Sequence, residues 1–155
     1  MEIERKYLVE NLPQNLASYP CRRIEQAYLC TEPVVRIRRQ DEEYYLTYKG
    51  RGLLAREEYN LPLTKEAYRH LLKKSDGIIL SKRRYLIPLK EKGLTAELDV
   101  FEGAYQGLVL AEVEFPTLEE AERFQPPAWF GRDVTLSGEY QNSLLSLGKG
   151  GKKPL

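Results

Sequence analysis

Charged residues of one sign recur at alternate positions along this chain: Arg36/Arg38, Lys82/Arg84, Glu97/Asp99 and Glu112/Glu114, with Glu2, Glu4 and Lys6 at its start. In an extended strand successive side chains point to opposite faces, so the members of each pair share a face. Lys49 likewise falls in phase with Thr47 and Tyr45, and Glu58 with Arg56. Each strand taken singly reads as half-buried, with apolar residues such as Ile37, Leu98 and Val113 facing a core and the charges facing water. The ensemble does not fit that reading. Solvated faces mix signs, because like charges side by side repel. Here Arg36, Arg38, Lys49, Lys82 and Arg84 form a cationic set, and Glu2, Glu4, Glu97, Asp99, Glu112 and Glu114 an anionic one. The segregation predicts one charged sheet face divided into an acidic half and a basic half.

Eight segments read as strands, roughly 2–10, 22–30, 34–40, 43–50, 55–63, 78–90, 95–101 and 108–115, rich in Tyr, Val, Ile, Leu and Thr. Gly50-Arg51-Gly52, Glu91-Lys92-Gly93 and Glu102-Gly103 read as turns, and Asp41-Glu42 as a tight link. Three helices are expected. One follows Thr64 as N-cap and reaches about Lys74; one opens with the capping box Thr117-Leu118-Glu119-Glu120; one covers roughly Glu139 to Leu147, with Gly148 just past its end. Pro126-Pro127 stop the second. The predicted class is α+β: an eight-stranded antiparallel closed β-barrel with flanking helices, a strand number that leaves room for a small ligand.

With 155 residues, no internal repeat and no boundary, residues 1–147 read as one domain. The tail 148–155, rich in Gly and Lys, reads as disordered. Basic and acidic residues nearly cancel, 24 against 23, which argues against a nucleic-acid binder. No apolar leader or long apolar run is present, so neither a signal peptide nor a membrane span is expected. Cys21 and Cys30 lack metal-type spacing and read as at least partly buried thiols of a cytoplasmic protein. His70, the single histidine, is expected in a surface or packing role on a helix rather than at a metal, and Trp129 and Phe130 as an aromatic cover on the sheet.

If the charged face turns inward, each uncompensated ion costs several kcal/mol, about the penalty of burying a charge, so the interior must hold something. Carboxylates suit Mg²⁺ or Mn²⁺, and Arg and Lys suit phosphate oxygens. A magnesium-complexed oligophosphate combines both needs.

The opening Glu2-Ile3-Glu4-Arg5-Lys6 resembles the founding motif of the CYTH superfamily, the triphosphate tunnel metalloenzymes. The likeness continues in order through Gln26-Ala27-Tyr28-Leu29, Val35-Arg36-Ile37-Arg38, Thr47-Tyr48-Lys49, Arg56-Glu57-Glu58-Tyr59 and Lys82-Arg83-Arg84-Tyr85. It ends with Glu97-Leu98-Asp99-Val100-Phe101, Glu112-Val113-Glu114-Phe115, Trp129-Phe130-Gly131, Val134-Thr135 and Tyr140-Gln141-Asn142. Any one of these is weak; the ordered set is specific, and it is most similar to the short bacterial members described as inorganic triphosphatases.

The resemblance implies a charged eight-stranded tunnel in which Glu2, Glu4, Glu112 and Glu114 bind Mg²⁺ or Mn²⁺ or position water, with Glu97 and Asp99 as further acidic candidates. Arg36, Arg38, Lys49, Lys82 and Arg84 would grip triphosphate, and Arg56 and Glu58 would complete the wall. It also implies that Lys6 and Tyr28 pair near the reacting phosphoryl group, Lys6 stabilising charge or, as the lesser reading, acting as base. One departure stands out: Asn60 occupies a position where the family often has an acid. The expected activity is metal-dependent hydrolysis of inorganic triphosphate, a small-molecule substrate, by a monomer or homodimer without nucleic acid or membrane. The alternatives are an adenylate cyclase, a thiamine or nucleoside triphosphatase, or a non-catalytic polyphosphate binder.

Overall fold

The computed structural model describes residues 1–91 and 93–155; the predicted turn at 91–93 includes Lys92, which lies outside the described residues. Among these, the strands are β1 (Glu2–Leu8), β2 (Cys21–Thr31), β3 (Val34–Gln40), β4 (Glu43–Lys49), β5 (Ala55–Arg56), β6 (Glu58–Pro62), β7 (Asp76–Pro88), β8 (Thr95–Glu102) and β9 (Val109–Glu114). All neighbours are antiparallel, in the order β5-β1-β9-β8-β7-β2-β3-β4-β6.

The two outermost strands, β5 and β6, are consecutive in sequence and separated only by Glu57. β5 pairs with β1 and β6 with β4, so both ends of the sheet meet on one short segment and the barrel is nearly closed. The single strand expected at 55–63 is therefore two, and the count is nine rather than eight. The physical reason is the seam: a segment that pairs with two different edges must change direction, and it does so at the exposed Glu57. Its carbonyl accepts from Gly50 N–H at 3.0 Å, while Glu4 N–H donates to Leu54 O at 3.0 Å. Gly52 sits in this crossing at φ +129°, and a Cβ there would lie 2.1 Å from Ala55 O.

The alternation of each strand sorts its side chains. Ile37 and Ala27 point outward and pack with Tyr44 and Tyr68 beneath α1 (Lys65–Leu72). Tyr7, Ala96, Leu98, Ala111 and Val113 point outward beneath α2 (Leu118–Arg123) and the aromatic segment holding Phe124 and Phe130. Two of the three apolar clusters thus lie outside the barrel wall, and the third fills one end of the interior, which leaves the rest of the interior to the charges. Thr64 caps α1 by accepting Ala67 N–H at 3.1 Å, and Thr117 caps α2 by accepting Glu120 N–H at 3.1 Å. Phe130 stacks on Tyr7 with ring centroids 4.8 Å apart, and Trp129 packs edge-on against Phe130. His70 is exposed on α1.

The last helix is shorter than expected: α3 spans Asn142–Ser146. Gly138 at φ +71° and the Ser137 hydroxyl, which accepts Glu139 N–H at 3.2 Å, make residues 137–140 a turn instead. α3 closes one end of the barrel. Leu145 packs there with Tyr28, Leu80, Phe101 and Leu110, and β7 admits the helix at Gly77, where a Cβ would lie 2.3 Å from Ser146 O. The tail, expected to be disordered, makes backbone contacts with the domain. Gly151 N–H donates to Glu139 O and Leu155 N–H to Ala104 O, both at 2.8 Å, and Gly150 is buried. The cysteines also differ from expectation: both are exposed free thiols, because Cys21 and Cys30 sit at the two ends of β2, beyond the packed outer layer. No helix among the described residues is long and apolar enough to cross a membrane.

Candidate active site

The inward face encloses a cavity of about 390 Å³. Every predicted site residue except Asp99 lines it: Glu2, Glu4, Lys6, Tyr28, Arg36, Arg38, Lys49, Arg56, Glu58, Lys82, Arg84, Glu97, Glu112 and Glu114. Strand order sorts most of them by sign. β1, β9 and β8 are adjacent and carry acids, with Lys6 on β1; β7, β3 and β4 carry bases, with β2 between β7 and β3; Arg56 and Glu58 sit at the seam on β5 and β6.

Register places like charges directly opposite each other on the acidic wall. Glu4 faces Glu114 across β1 and β9, and Glu97 faces Glu112 across β8 and β9. Such pairs are destabilising unless a cation lies between them. Glu112 has cations nearby, Lys6 at 3.6 Å and Arg84 at 3.8 Å, and they outweigh burial and hold it well below the usual carboxylate range. The Glu4 carboxyl makes no hydrogen bond and no ion pair among the described residues. Burial, reinforced by the charges of Glu112 and Glu2, pushes it up to about 8. Burial likewise raises Glu97, although Arg84 Nη1 lies 3.1 Å away.

At the seam, Lys49 Nζ sits 3.0 Å from Glu2 and 3.3 Å from Glu58. Burial and the shared hydrogen bond with Glu58 raise Glu2 to about 7. Glu58, less enclosed, is lowered to about 2 by that same bond together with Lys49 and Asn60, against its own burial. Asn60 also accepts the Thr47 hydroxyl at 2.6 Å, so this neutral residue is tied into the wall. Arg56 lies 3.9 Å from Glu2.

The basic wall divides into paired and unpaired cations. Asp99 is fully buried behind the cavity surface, and Arg84 chelates it at 2.7 and 2.9 Å while Lys82 lies 2.7 Å away. These two cations overcome burial and hold Asp99 below its usual range. Burial pulls Lys82 down to about 7 against Asp99, but 2.7 Å from an ionised carboxylate the geometry supports the ammonium. Asp99 therefore departs from the metal role expected of it, because both its oxygens are taken by cations.

Arg36 and Arg38, by contrast, have no carboxylate partner among the described residues. Arg36 Nε is buried without any hydrogen bond, and Arg38 bonds only the neutral Gln26. Burial and the neighbouring Arg36 and Arg84 charges lower Arg38 to about 9.

Lys6 Nζ donates to Tyr140 O at 3.1 Å besides facing Glu112. Tyr28 lies on the cavity wall opposite Arg36 in the β2–β3 register. Gln26, Asn142 and Ser143 are not among the residues the sequence marks for the site, yet Asn142 and Ser143 line the cavity and Gln26 supports its wall. The alternation Gln26/Tyr28 could have flagged the glutamine. Asn142 and Ser143 arrive only through the folding-back of α3, which no strand pattern announces.

Among the described residues no three His, Cys, Asp or Glu side chains converge into a ready metal cage. The donor chemistry nonetheless fits a hard divalent cation: all-oxygen ligands, with the unpaired Glu4 carboxyl on the cavity wall. Mg²⁺ keeps several waters and uses few carboxylates, so a full protein cage is not required.

Comparison with known proteins agrees with this geometry. An inorganic triphosphatase of Nitrosomonas europaea is 39% identical over 150 residues, covering 94% of this chain and 97% of the relative. One of Acetivibrio thermocellus is 35% identical over 150 residues, covering 93% and 92%. A crystal structure of an inorganic triphosphatase superposes with a TM-score of 0.73 at 35% identity, covering 97% of each chain. The CYTH domain pattern matches residues 1–146, and the chain belongs to the CYTH domain family.

Proposed function

We propose that this protein hydrolyses inorganic triphosphate to pyrophosphate and phosphate in a divalent-metal-dependent reaction. One observation carries the reading: the buried Arg36 and Arg38, which have no carboxylate partner among the described residues, share a cavity with the unpaired Glu4 carboxyl, so the site offers a place for both an anion and a cation. A metal–oligophosphate supplies both. The relatives named inorganic triphosphatases support the substrate.

Glu2, Glu4, Glu112 and Glu114, with Glu97 nearby, would hold Mg²⁺ or Mn²⁺, which supplies charge neutralisation and acidifies water. Arg36 and Arg38 bind and orient the substrate and stabilise charge spreading over the phosphoryl oxygens, where positioning and electrostatics dominate catalysis. Lys49, Lys82, Arg84 and Arg56 add positive potential while already paired to carboxylates. Lys6, between Glu112 and the Tyr140 carbonyl, stabilises charge at the reacting end, with Tyr28 on the same cavity wall. Water oxygen forms a bond to the terminal phosphorus, the bridging P–O bond breaks, pyrophosphate departs with the electron pair, and the water proton passes to solvent or product. The exposed free thiols of Cys21 and Cys30 support placing this activity in a reducing cytoplasm.

Phosphorus NMR of triphosphate with the protein and Mg²⁺ or Mn²⁺ tests the reaction. Pyrophosphate and phosphate appearing in equal amounts is the expected result. Unchanged triphosphate in both metals contradicts it.

A further inference from the structure

Gln26, fully buried on β2, stands between the paired and the unpaired cations. Its Oε1 accepts from Arg38 Nε at 3.0 Å and from Arg38 Nη2 at 2.6 Å, and its Nε2 donates to Asn142 Oδ1 at 2.8 Å. The same Asn142 oxygen accepts from Lys82 Nζ at 3.1 Å. An ammonium only donates, so Lys82 obliges Asn142 to present its oxygen. Gln26 must then turn its nitrogen to Asn142 and its oxygen to Arg38. The orientation of the two amides is thus set from both sides, by the donor-only guanidinium of Arg38 and by one buried lysine anchored on Asp99.

The consequence falls on Arg38. Arg84 is held by carboxylates, Asp99 along its Nε–Nη2 edge and Glu97 at Nη1, whereas Arg38 is held along its Nε–Nη2 edge by a neutral acceptor. We infer that Gln26 is a positioning residue: it aims Arg38 into the cavity while leaving its charge for phosphate oxygens, with its own direction fixed by Arg38 and, through Asn142, by Lys82. This rests on the triphosphate reading above. A carboxylate at position 26 has nearly the same shape, but it would neutralise Arg38 and could not donate to Asn142.

The test is a double-mutant cycle on the full chain, reading the Kd of inorganic triphosphate by calorimetry in EDTA, alongside thermal melts. Gln26→Glu is expected to weaken binding about ten-fold, the scale of one charge-assisted hydrogen bond. The same substitution in an Arg38→Ala background is expected to change Kd by less than about two-fold, because a residue acting through Arg38 has nothing left to act on. Gln26→Met keeps the volume without charge and serves the same cycle should Gln26→Glu fail to fold; its loss, about three-fold or more, must also vanish without Arg38. Equal losses in both backgrounds, or unchanged binding in a folded Gln26 variant, overturn the inference. Wild-type protein that binds triphosphate but never hydrolyses it contradicts the proposed function, while the cycle still decides the role of Gln26.

Discussion

Lys82 Nζ lies 2.7 Å from Asp99 Oδ2, and the two side chains are 1% and 0% exposed. Asp99 also chelates Arg84, so one carboxylate balances two cations behind the cavity wall. Removing one partner of a buried pair leaves the other uncompensated, which is strongly destabilising. Asp99→Asn is therefore expected to cost about 3–5 kcal/mol in urea unfolding. Wild-type stability in that variant would show that the triad does not hold the wall.

The same carboxylates fix the acid limit. Cations hold Asp99 and Glu112 below their ordinary ranges in the fold, so between the folded and unfolded values the unfolded chain binds more protons. Their contribution is complete above the unfolded values, near 3.8 and 4.5, and is lost as pH falls through the folded ones. Stability measured in denaturant should fall steeply only below about pH 4. In Asp99→Asn this acid slope should be shallower.

Glu4 carries the opposite sign. With its value pushed up to about 8, the fold keeps a proton that the unfolded chain releases from about 4.5 upward. In EDTA this group makes stability fall as pH rises across that window. Glu4→Gln removes the term, so the metal-free variant should match or exceed wild type at pH 8. Its metal-dependent turnover should drop by about two orders of magnitude or more, the scale of losing an electrostatic group at a reacting centre. Wild-type turnover in folded Glu4→Gln protein would defeat the metal assignment.

Arg38 and Arg84 stand on the same wall yet should fail differently. Arg38→Ala breaks no ion pair, so it should weaken triphosphate binding about ten- to a hundred-fold with a near-normal melt. Arg84→Ala leaves Asp99 with Lys82 alone and should lower stability as well. Parallel calorimetry and denaturation separate the two. Matching profiles would mean that paired and unpaired cations are not distinct.

Truncation after Gly148 tests the tail contacts. It removes the Lys149–Leu144, Gly151–Glu139 and Leu155–Ala104 backbone bonds beside α3. At about 0.5–1.5 kcal/mol each, a loss of about 1.5–4.5 kcal/mol is expected in urea. Unaltered stability would mean that the tail adds nothing to the closure of the barrel.

Much of the barrel was legible because its chemistry repeats every second residue. Arg36/Arg38 and Glu112/Glu114 announced both their strands and the face they share. The seam was less visible, since one run, 55–63, serves two edges and pattern alone does not mark a change of partner at Glu57. Parity also placed Asp99 with Glu97 on the metal side, but it reports the face and not the depth. Asp99 sits behind the wall because Lys82 and Arg84 on β7 reach it first. Asn142 and the tail depend on how α3 folds back into the barrel mouth, a long-range event with no periodic signal.

The most direct test is the rate of phosphate release from inorganic triphosphate, ATP, thiamine triphosphate and pyrophosphate, each with Mg²⁺, Mn²⁺ or EDTA. Triphosphate turnover about ten-fold or more above ATP, and abolished by EDTA, is the predicted result, because the cavity is built for charge. Equal or faster turnover of ATP, or tight triphosphate binding without turnover in either metal, would contradict it.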